Sequence, residues 1–124
     1  MKTIIVANQK GGVGKTSSAR HLGWFGAERG LKVLMVDFDI QNNLSKSMLN
    51  FAIQNKRPIG HSHFETSHFF QNLPFENALQ CDANIWSVAC DEKNIFDVEQ
   101  GNLSELIENV QRSFKQLEYC NRCE

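Results

Sequence analysis

The sequence lacks a long hydrophobic run and an excess of charge of either sign. No apolar stretch approaches the roughly 18 residues that a transmembrane helix needs, and the N-terminus has no basic region followed by a long apolar stretch. With 13 Lys and Arg against 14 Asp and Glu, the formal net charge of -1 gives no support to a broad nucleic-acid-binding surface. We therefore expect no membrane partner, and a cytoplasmic protein whose thiols stay reduced.

The sequence contains four cysteines in 124 residues. Cys120 and Cys123 have the spacing of half a zinc site or of a redox pair, but a closed site needs two more ligands at suitable spacing. We favour the interpretation that Cys81 and Cys90 are small apolar residues that flank or line a strand. A metal site completed by the histidines between residues 61 and 68 is the alternative.

Apolar runs alternate with segments of helical periodicity along the chain. The pattern predicts strands at about residues 2–7, 32–36 and 84–89, and helices at about residues 15–29, 44–52 and 103–117, with two short helices between 64 and 79. Alternating strands and helices favour an α/β fold with a parallel sheet flanked by helices. No internal repeat, low-complexity tract or obvious linker interrupts the chain, so we expect one domain over residues 1–124.

The first predicted helix has a clear end and a less clear buried face. Gly30 follows Arg29 and is suited to the position just past the last helical turn. Helical spacing places four small or apolar side chains on one face: Ala19, Leu22, Phe25 and Gly26.

A glycine-rich loop directly follows the first predicted strand. Residues 9–17 read Gln-Lys-Gly-Gly-Val-Gly-Lys-Thr-Ser, which matches a phosphate-binding P-loop except that Gln9 occupies the first glycine position. Glycines let the backbone approach phosphate oxygens, and the N-terminus of the following helix attracts the same anion. Lys15 is expected to pair with the β- and γ-phosphates and Thr16 to ligate Mg²⁺, which leaves Ser17 for an inner phosphate.

Two aspartates, Asp37 and Asp39, follow the second predicted strand. Ligands of α/β sheets bind at the carboxyl ends of the strands, where two carboxylates can hold the water shell of Mg²⁺ or orient an attacking water. A solvated turn is the alternative interpretation of this Asp-x-Asp pattern. The neighbouring P-loop favours a functional pair.

Two stretches together resemble a known family. Residues 8–16 are similar to the deviant Walker A box of the ParA/Soj partition ATPases, relatives of MinD and the nitrogenase iron protein. Residues 33–45 resemble the second box of that family, in which Asp-x-Asp-Pro-Gln-x-Asn is usual, although Ile40 replaces the proline. Gln41 and Asn43 favour the ParA branch. Weaker similarity continues through residues 85–89 and the last predicted helix.

The resemblance implies an ATP-dependent dimer with a defined set of residues. Lys10 would be the signature lysine that reaches the ATP of the partner subunit, Asp39 the residue required for hydrolysis, and Asp37 the residue near the water shell of Mg²⁺. The implied catalytic residues are Lys10, Lys15 and Asp39, and the implied metal site comprises Thr16, Asp37 and Asp39. The implied nucleotide-binding residues are Lys10, Gly11, Gly12, Val13, Gly14, Lys15, Thr16 and Ser17. Partners implied by the family are a second copy or a full-length relative, a partition adaptor protein, and nonspecific DNA of the nucleoid.

The sequence departs from the family after residue 117. Family members continue into an apolar Walker B strand ending in Asp, whereas residues 118–124 cannot complete such a strand. We therefore expect a partial P-loop NTPase sheet, truncated before that strand, in which the P-loop strand and the Asp37 strand lack their shared neighbour. The regions that contact adenine and DNA in the family are likewise expected to be absent. The alternatives to an active ATPase are a non-catalytic dimerisation or interference module, and the product of a disrupted gene.

Overall fold

A computed structural model of the chain describes residues 2–60, 63–71 and 77–91, together with residues 108, 109, 111, 112 and 115. The fold is α/β, as predicted, and its elements are α1 (Lys15–Glu28), β1 (Val33–Val36), α2 (Asn43–Gln54), α3 (Thr66–Phe70), β2 (Leu79–Asp82) and β3 (Ile85–Val88). The five described residues between 108 and 115 are helical. The rest of the helix predicted at 103–117 lies outside the described residues, as do Cys120 and Cys123.

The three strands form one mixed sheet in the order β1-β3-β2. β1 and β3 pair in parallel from Val33 opposite Ile85 to Val36 opposite Val88, which is the parallel pairing expected from the alternation of strands and helices. β2 runs antiparallel to β3 and was not predicted, since a helix was expected to reach Leu79. A four-residue strand carries little local signal, and β2 forms because the following turn returns the chain directly alongside it.

The strand predicted at residues 2–7 does not form in the described structure, so this prediction is wrong. Residues 2–8 are exposed and belong to no strand, with Ile4 72% and Ile5 83% exposed. Apolar β-branched residues favour a strand, but a strand exists only when a neighbour pairs with its backbone groups. Within the described residues no strand pairs with residues 2–8 or with the outer edge of β1.

Side chains of β1 alternate between two apolar clusters, as the pleat of a strand requires. Met35 lies in the larger cluster with Ile85 and the α2 residues Met48 and Ala52. Leu34 and Val36 pack on the other cluster, which contains Phe64, Phe69 and Val88. Helices α1 and α2 therefore cover one face of the sheet and the segment around α3 covers the other.

Helix α1 contacts the core through a face that matches the predicted one only in part, since Ala19 and Gly26 lie against the core as predicted. Gly23 is its buried residue, and Ala19, Trp24 and Ala27 pack against the larger cluster. Leu22 and Phe25 are 47% and 55% exposed, so the predicted face is rotated by about one residue. Gly23 directly abuts the Met35 side chain, and this close approach of helix to strand sets the rotation.

The end of α1 is as predicted. Gly30 has a φ of 76°, its N–H donates to the Ala27 carbonyl at 2.9 Å, and the Leu31 N–H donates to the Gly26 carbonyl at 3.1 Å. This pair of bonds is a Schellman motif, which closes the helix and turns the chain into β1. None of the described helices is long and apolar enough to cross a membrane.

Candidate functional site

The glycine-rich loop begins α1 through two residues in the left-handed region. Gly12 has a φ of 72°, and Gly14, at the position just before the helix, has a φ of 85° and a ψ of 18°. A Cβ placed on either glycine would meet nothing within 4 Å, so the requirement for glycine comes from the backbone conformation and from access to the loop. The loop is exposed from residue 8 to residue 14.

The N-terminus of α1 carries free backbone donors. Within the described residues no side chain caps this end, and the first intrahelical bond is the one from the Ser18 N–H to the Gly14 carbonyl at 2.8 Å. The amides of Lys15, Thr16 and Ser17 precede that bond and have no helical acceptor. The first turn contains no acidic side chain that would occupy them, so these amides and the positive end of the helix dipole can receive an anion.

Both lysines of the loop lie at this helix end, but they are held differently. The Lys15 Nζ donates to the Lys10 carbonyl at 3.2 Å, which folds its ammonium group back over the loop. The Lys10 N–H donates to the Asn8 Oδ1 at 2.9 Å, so the backbone of Lys10 is fixed on both sides. Its side chain is exposed and makes no hydrogen bond or ion pair within the described residues. The Lys10 ammonium group therefore extends away from a fixed backbone.

Asp37 is a buried carboxylate that anchors the start of α2. It is 6% exposed, and its Oδ2 accepts from the Ser45 N–H at 2.9 Å and from the Ser45 hydroxyl at 2.8 Å. Its Oδ1 accepts from the Asp39 N–H at 3.1 Å. One of the three bonds satisfies an orphan backbone donor of the α2 N-terminus, the Ser45 N–H, and within the described residues one lone pair of Oδ1 has no donor. In this structure Asp37 therefore helps to hold the start of α2 in place.

Asp39 lies on the outside of the same turn. It is exposed, and its Oδ1 accepts from the Gln41 N–H at 3.0 Å, while its carbonyl accepts from the Asn42 N–H at 2.8 Å. The local bonds hold the carboxylate in a defined orientation, with its second oxygen open to solvent. Of the two aspartates, Asp39 is therefore the one whose carboxylate a ligand can reach.

The structure forms two separate groups from the predicted site residues. One group is the loop with the first turn of α1, and the other is the turn from Asp37 to Asn43. No hydrogen bond or ion pair joins Lys10 or Lys15 to either aspartate within the described part of the chain. The same part contains no group of three or more His, Cys, Asp or Glu side chains placed to hold a metal ion.

Sequence reasoning missed the residues that fix the Asp37–Asn43 turn in place. Ser45 bonds twice to Asp37, and the Asn42 carboxamide bonds twice to the backbone of Cys90. The contact of Ser45 with Asp37 spans eight residues, and the acceptor lies before the N-cap residue Asn42, so the usual capping pattern does not predict it. The contact with Cys90 spans 48 residues and has no local signature.

A second pair of carboxylates, Glu65 and Asp91, lies near the end of β3. Asp91 is buried and accepts from the Ser67 hydroxyl at 3.3 Å. Burial raises the pKa of Glu65, and the hydrogen bond and charge of Asp91 act in the same direction. Burial also raises the pKa of the Cys90 thiol. The negative charges of nearby carboxylates, including Asp37, raise this pKa further. This end of the sheet is therefore acidic.

A cavity of about 340 Å³ lies elsewhere, at the opposite ends of the parallel strands. Trp24 and Phe51 line it with the turn that joins β2 to β3. It shares no lining residue with the loop or with the Asp37–Asn43 turn. The cavity is therefore separate from the candidate site.

A family model described as an AAA domain matches residues 1–117. The chain belongs to the AAA domain family. It is 54% identical to Protein IncC of Escherichia coli over 52 residues, which are 42% of this chain and 14% of that protein. It is 55% identical to the chromosome-partitioning ATPase Soj of Treponema pallidum over 47 residues, 38% of this chain and 19% of that protein.

The chromosome partitioning protein ParA of Caulobacter vibrioides is 46% identical over 48 residues, 39% of this chain and 18% of that protein. This AAA domain is thus of the ParA/Soj type, as the two sequence motifs predict. The matched segments span less than a fifth of the length of these three relatives. No solved structure matches the chain.

Proposed function

We propose that this AAA domain binds ATP and Mg²⁺ in the cytoplasm as a ParA-type ATPase of plasmid or chromosome partition. The observation that carries the proposal is the geometry at the start of α1. Gly14 adopts a left-handed conformation just before a helix N-terminus that no side chain of the described residues caps. The Lys15 ammonium group folds back over the loop, with its Nζ 3.2 Å from the Lys10 carbonyl oxygen. Free amides and a lysine at one point suit a phosphate group.

The loop backbone between residues 11 and 14 and the amides of the first helical turn would receive the phosphates. Lys15 would exchange its bond to the Lys10 carbonyl for the β- and γ-phosphates, because an ion pair with phosphate is stronger than a bond to a neutral carbonyl. The hydroxyl of Ser17, which is exposed in the same turn, would contact an inner phosphate.

The available oxygen donors fit Mg²⁺, which prefers hard oxygen ligands and keeps several of its waters. The hydroxyl of Thr16, in the first turn of α1, would ligate the ion directly, and the exposed carboxylate of Asp39 would hold one of its waters. Asp37 would act mainly by orienting Asp39, since three of its four lone pairs already accept hydrogen bonds. The ion would neutralise charge on the phosphates.

Dimerisation and hydrolysis follow from the same residues. The extended side chain of Lys10 would reach the phosphates bound by a partner subunit, where it would stabilise charge as an arginine finger does. Asp39 would orient the attacking water. The partner would be a second copy or a longer relative. An adaptor protein and nonspecific DNA of the nucleoid complete the proposed partition role, which rests on the similarity to the partition proteins Soj and ParA.

Calorimetric titration of the full chain with ATP and Mg²⁺ tests the proposal. Lys15→Ala should weaken binding about a hundredfold, because it removes a charge-assisted bond of about 3 kcal/mol to phosphate. Lys2→Ala is the matched control, since Lys2 is an exposed lysine close to the loop, and its loss should leave affinity unchanged. Equal affinities of wild type and Lys15→Ala would refute the assignment of the loop.

A second candidate function is a module that associates with a longer relative without hydrolysing ATP. The exposed apolar segment at residues 3–7 favours it, since Ile4 and Ile5 are largely uncovered. Phosphate release separates the two functions. Binding without turnover by the chain alone would support the second candidate, and turnover that Asp39→Asn abolishes would support the first.

A further inference from the structure

The Asn42 side chain makes a two-point contact with the backbone that follows β3. Its Nδ2 donates to the Cys90 carbonyl at 2.8 Å, and its Oδ1 accepts from the Cys90 N–H at 2.9 Å. A single orientation of the carboxamide satisfies both bonds, because the nitrogen faces an acceptor and the oxygen faces a donor. The contact is short, reciprocal and specific for an amide side chain.

The contact continues the parallel pairing of β1 with β3 after β1 has ended. The last backbone bond of that ladder runs from the Asp37 N–H to the Val88 carbonyl at 3.0 Å. Cys90 comes two residues later and presents its N–H and carbonyl at the same edge, since these groups alternate along a strand. The chain has turned away after Asp37, and the Asn42 carboxamide takes the place of the missing backbone.

The opposite edge of the same segment is also fixed. The Ala89 carbonyl accepts from the Thr66 N–H at 2.9 Å, so the end of β3 is bonded on both sides. Cys90 is 4% exposed and Thr66 is fully buried. Asn42 is therefore attached to an ordered part of the sheet.

Hydrogen bonds from Asn42 and from its neighbour Gln41 connect the anchored turn to Asp39. The Asn42 N–H donates to the Asp39 carbonyl, and the N–H of the preceding Gln41 donates to the Asp39 Oδ1 at 3.0 Å. Asn42 adopts a φ of 55°, a left-handed conformation that asparagine tolerates better than most residues. The backbone and carboxylate of Asp39 are thus tied through adjacent residues to the end of β3.

We propose that Asn42 is a positioning residue that fastens the Asp37–Asn43 turn to Cys90 and thereby orients the Asp39 carboxylate for Mg²⁺-nucleotide. The role of Asp39 in this statement rests on the proposed function. The mechanical part, namely that Asn42 orients the Asp39 carboxylate through the turn, is independent of any ligand.

Asn42→Gly is the appropriate variant, because glycine adopts the left-handed conformation freely and only the carboxamide is lost. Asn77→Gly is the matched control, since Asn77 is also left-handed, with a φ of 58°, and lies outside the site. Residue-resolved hydrogen exchange of the ligand-free chain supplies the first measurement. The amides of Cys90 and Gln41 should exchange about tenfold faster in Asn42→Gly, as expected when one hydrogen bond is lost. The Asp37 amide should change less than about twofold, because the ladder remains intact.

The second measurement is the affinity for ATP with Mg²⁺ and with EDTA. Asn42→Gly should bind ATP in EDTA as tightly as the wild type does. The factor by which Mg²⁺ increases its affinity for ATP should be about tenfold smaller, an effect typical of the loss of residues that orient metal ligands. Asn77→Gly should match the wild type in both measurements.

An unchanged exchange rate of the Gln41 amide in Asn42→Gly would overturn the proposal. Equal acceleration of exchange at Gln41, Cys90 and Asp37 would also overturn it, because it would indicate a merely structural contact. A Mg²⁺-dependent gain equal to that of the wild type would also overturn it. If the wild type binds no ATP, the proposed function fails, while the exchange of Gln41 still decides whether Asn42 orients Asp39.

Discussion

Asp37→Asn distinguishes a structural carboxylate from one that is kept for a cation. Asp37 accepts three hydrogen bonds in a buried position, and asparagine of the same size retains a single oxygen. If that oxygen serves the two Ser45 donors, the amide nitrogen faces the Asp39 N–H and two donors oppose each other. We therefore expect the variant to be destabilised in the absence of any nucleotide or metal.

The magnitude follows from the number of bonds. A hydrogen bond to a charged group contributes about 1.5–3 kcal/mol, and loss of one bond with weakening of the other two gives about 2–3 kcal/mol for Asp37→Asn. With an unfolding entropy of about 2.1 cal/mol/K per residue, a chain of 124 residues loses roughly 8–12 °C in Tm.

Thermal unfolding followed by circular dichroism in EDTA measures this shift. Asp39→Asn is the control, because the carboxylate of exposed Asp39 accepts a single bond from the described residues, that of the Gln41 N–H, and its Tm should fall by less than about 4 °C. A carboxylate held for a cation would repel its acidic neighbours in the free chain, so removal of its charge would raise the Tm. A rise, or no change, in the Tm of Asp37→Asn would therefore refute the reasoning.

Two further predictions concern titrating groups. Burial and the nearby charge of Asp82 raise the pKa of the Cys81 thiol to about 11. Cys81 should therefore resist alkylation by iodoacetamide at pH 8 in the folded chain and react in urea, as measured by peptide mass spectrometry. Alkylation of Cys81 in the folded chain would contradict this prediction. Because the pKa of Glu65 is raised, the stability that its neutral form contributes is present at low pH and is lost as the pH rises through that pKa. Glu65→Gln should therefore have a higher Tm than the wild type near pH 7, with the difference shrinking towards acid pH, and a difference independent of pH would exclude the ionisation of buried Glu65 as its cause.

Local patterns predicted those elements whose signal lies within the element itself. The apolar run at 32–36 became β1, the run at 84–89 became β3, and Gly30 ended α1 in the left-handed conformation. The glycine-rich loop was recognisable for the same reason, since glycine readily adopts the positive φ found at Gly12 and Gly14.

Features that depend on distant partners could not be predicted in this way. Residues 2–7 have the composition of a strand but no described neighbour, and Leu79–Asp82 has little strand signal but pairs with β3. Leu22 and Phe25 were wrongly assigned to the buried face of α1, because the contact of Gly23 with Met35, not the apolar side chains, sets the rotation of the helix.

The sequence by itself determined the chemistry of this AAA domain, namely a glycine-rich loop with two lysines, a helix start behind it, and an Asp-x-Asp turn after a buried strand. Only the tertiary structure decided how the aspartates divide their roles. Asp37 is turned inward to Ser45, while Asp39 is left facing solvent and tied through Asn42 to Cys90. The physical reason is that a carboxylate or carboxamide takes its role from the donors and acceptors around it, and here those come from residues as far as 48 positions away.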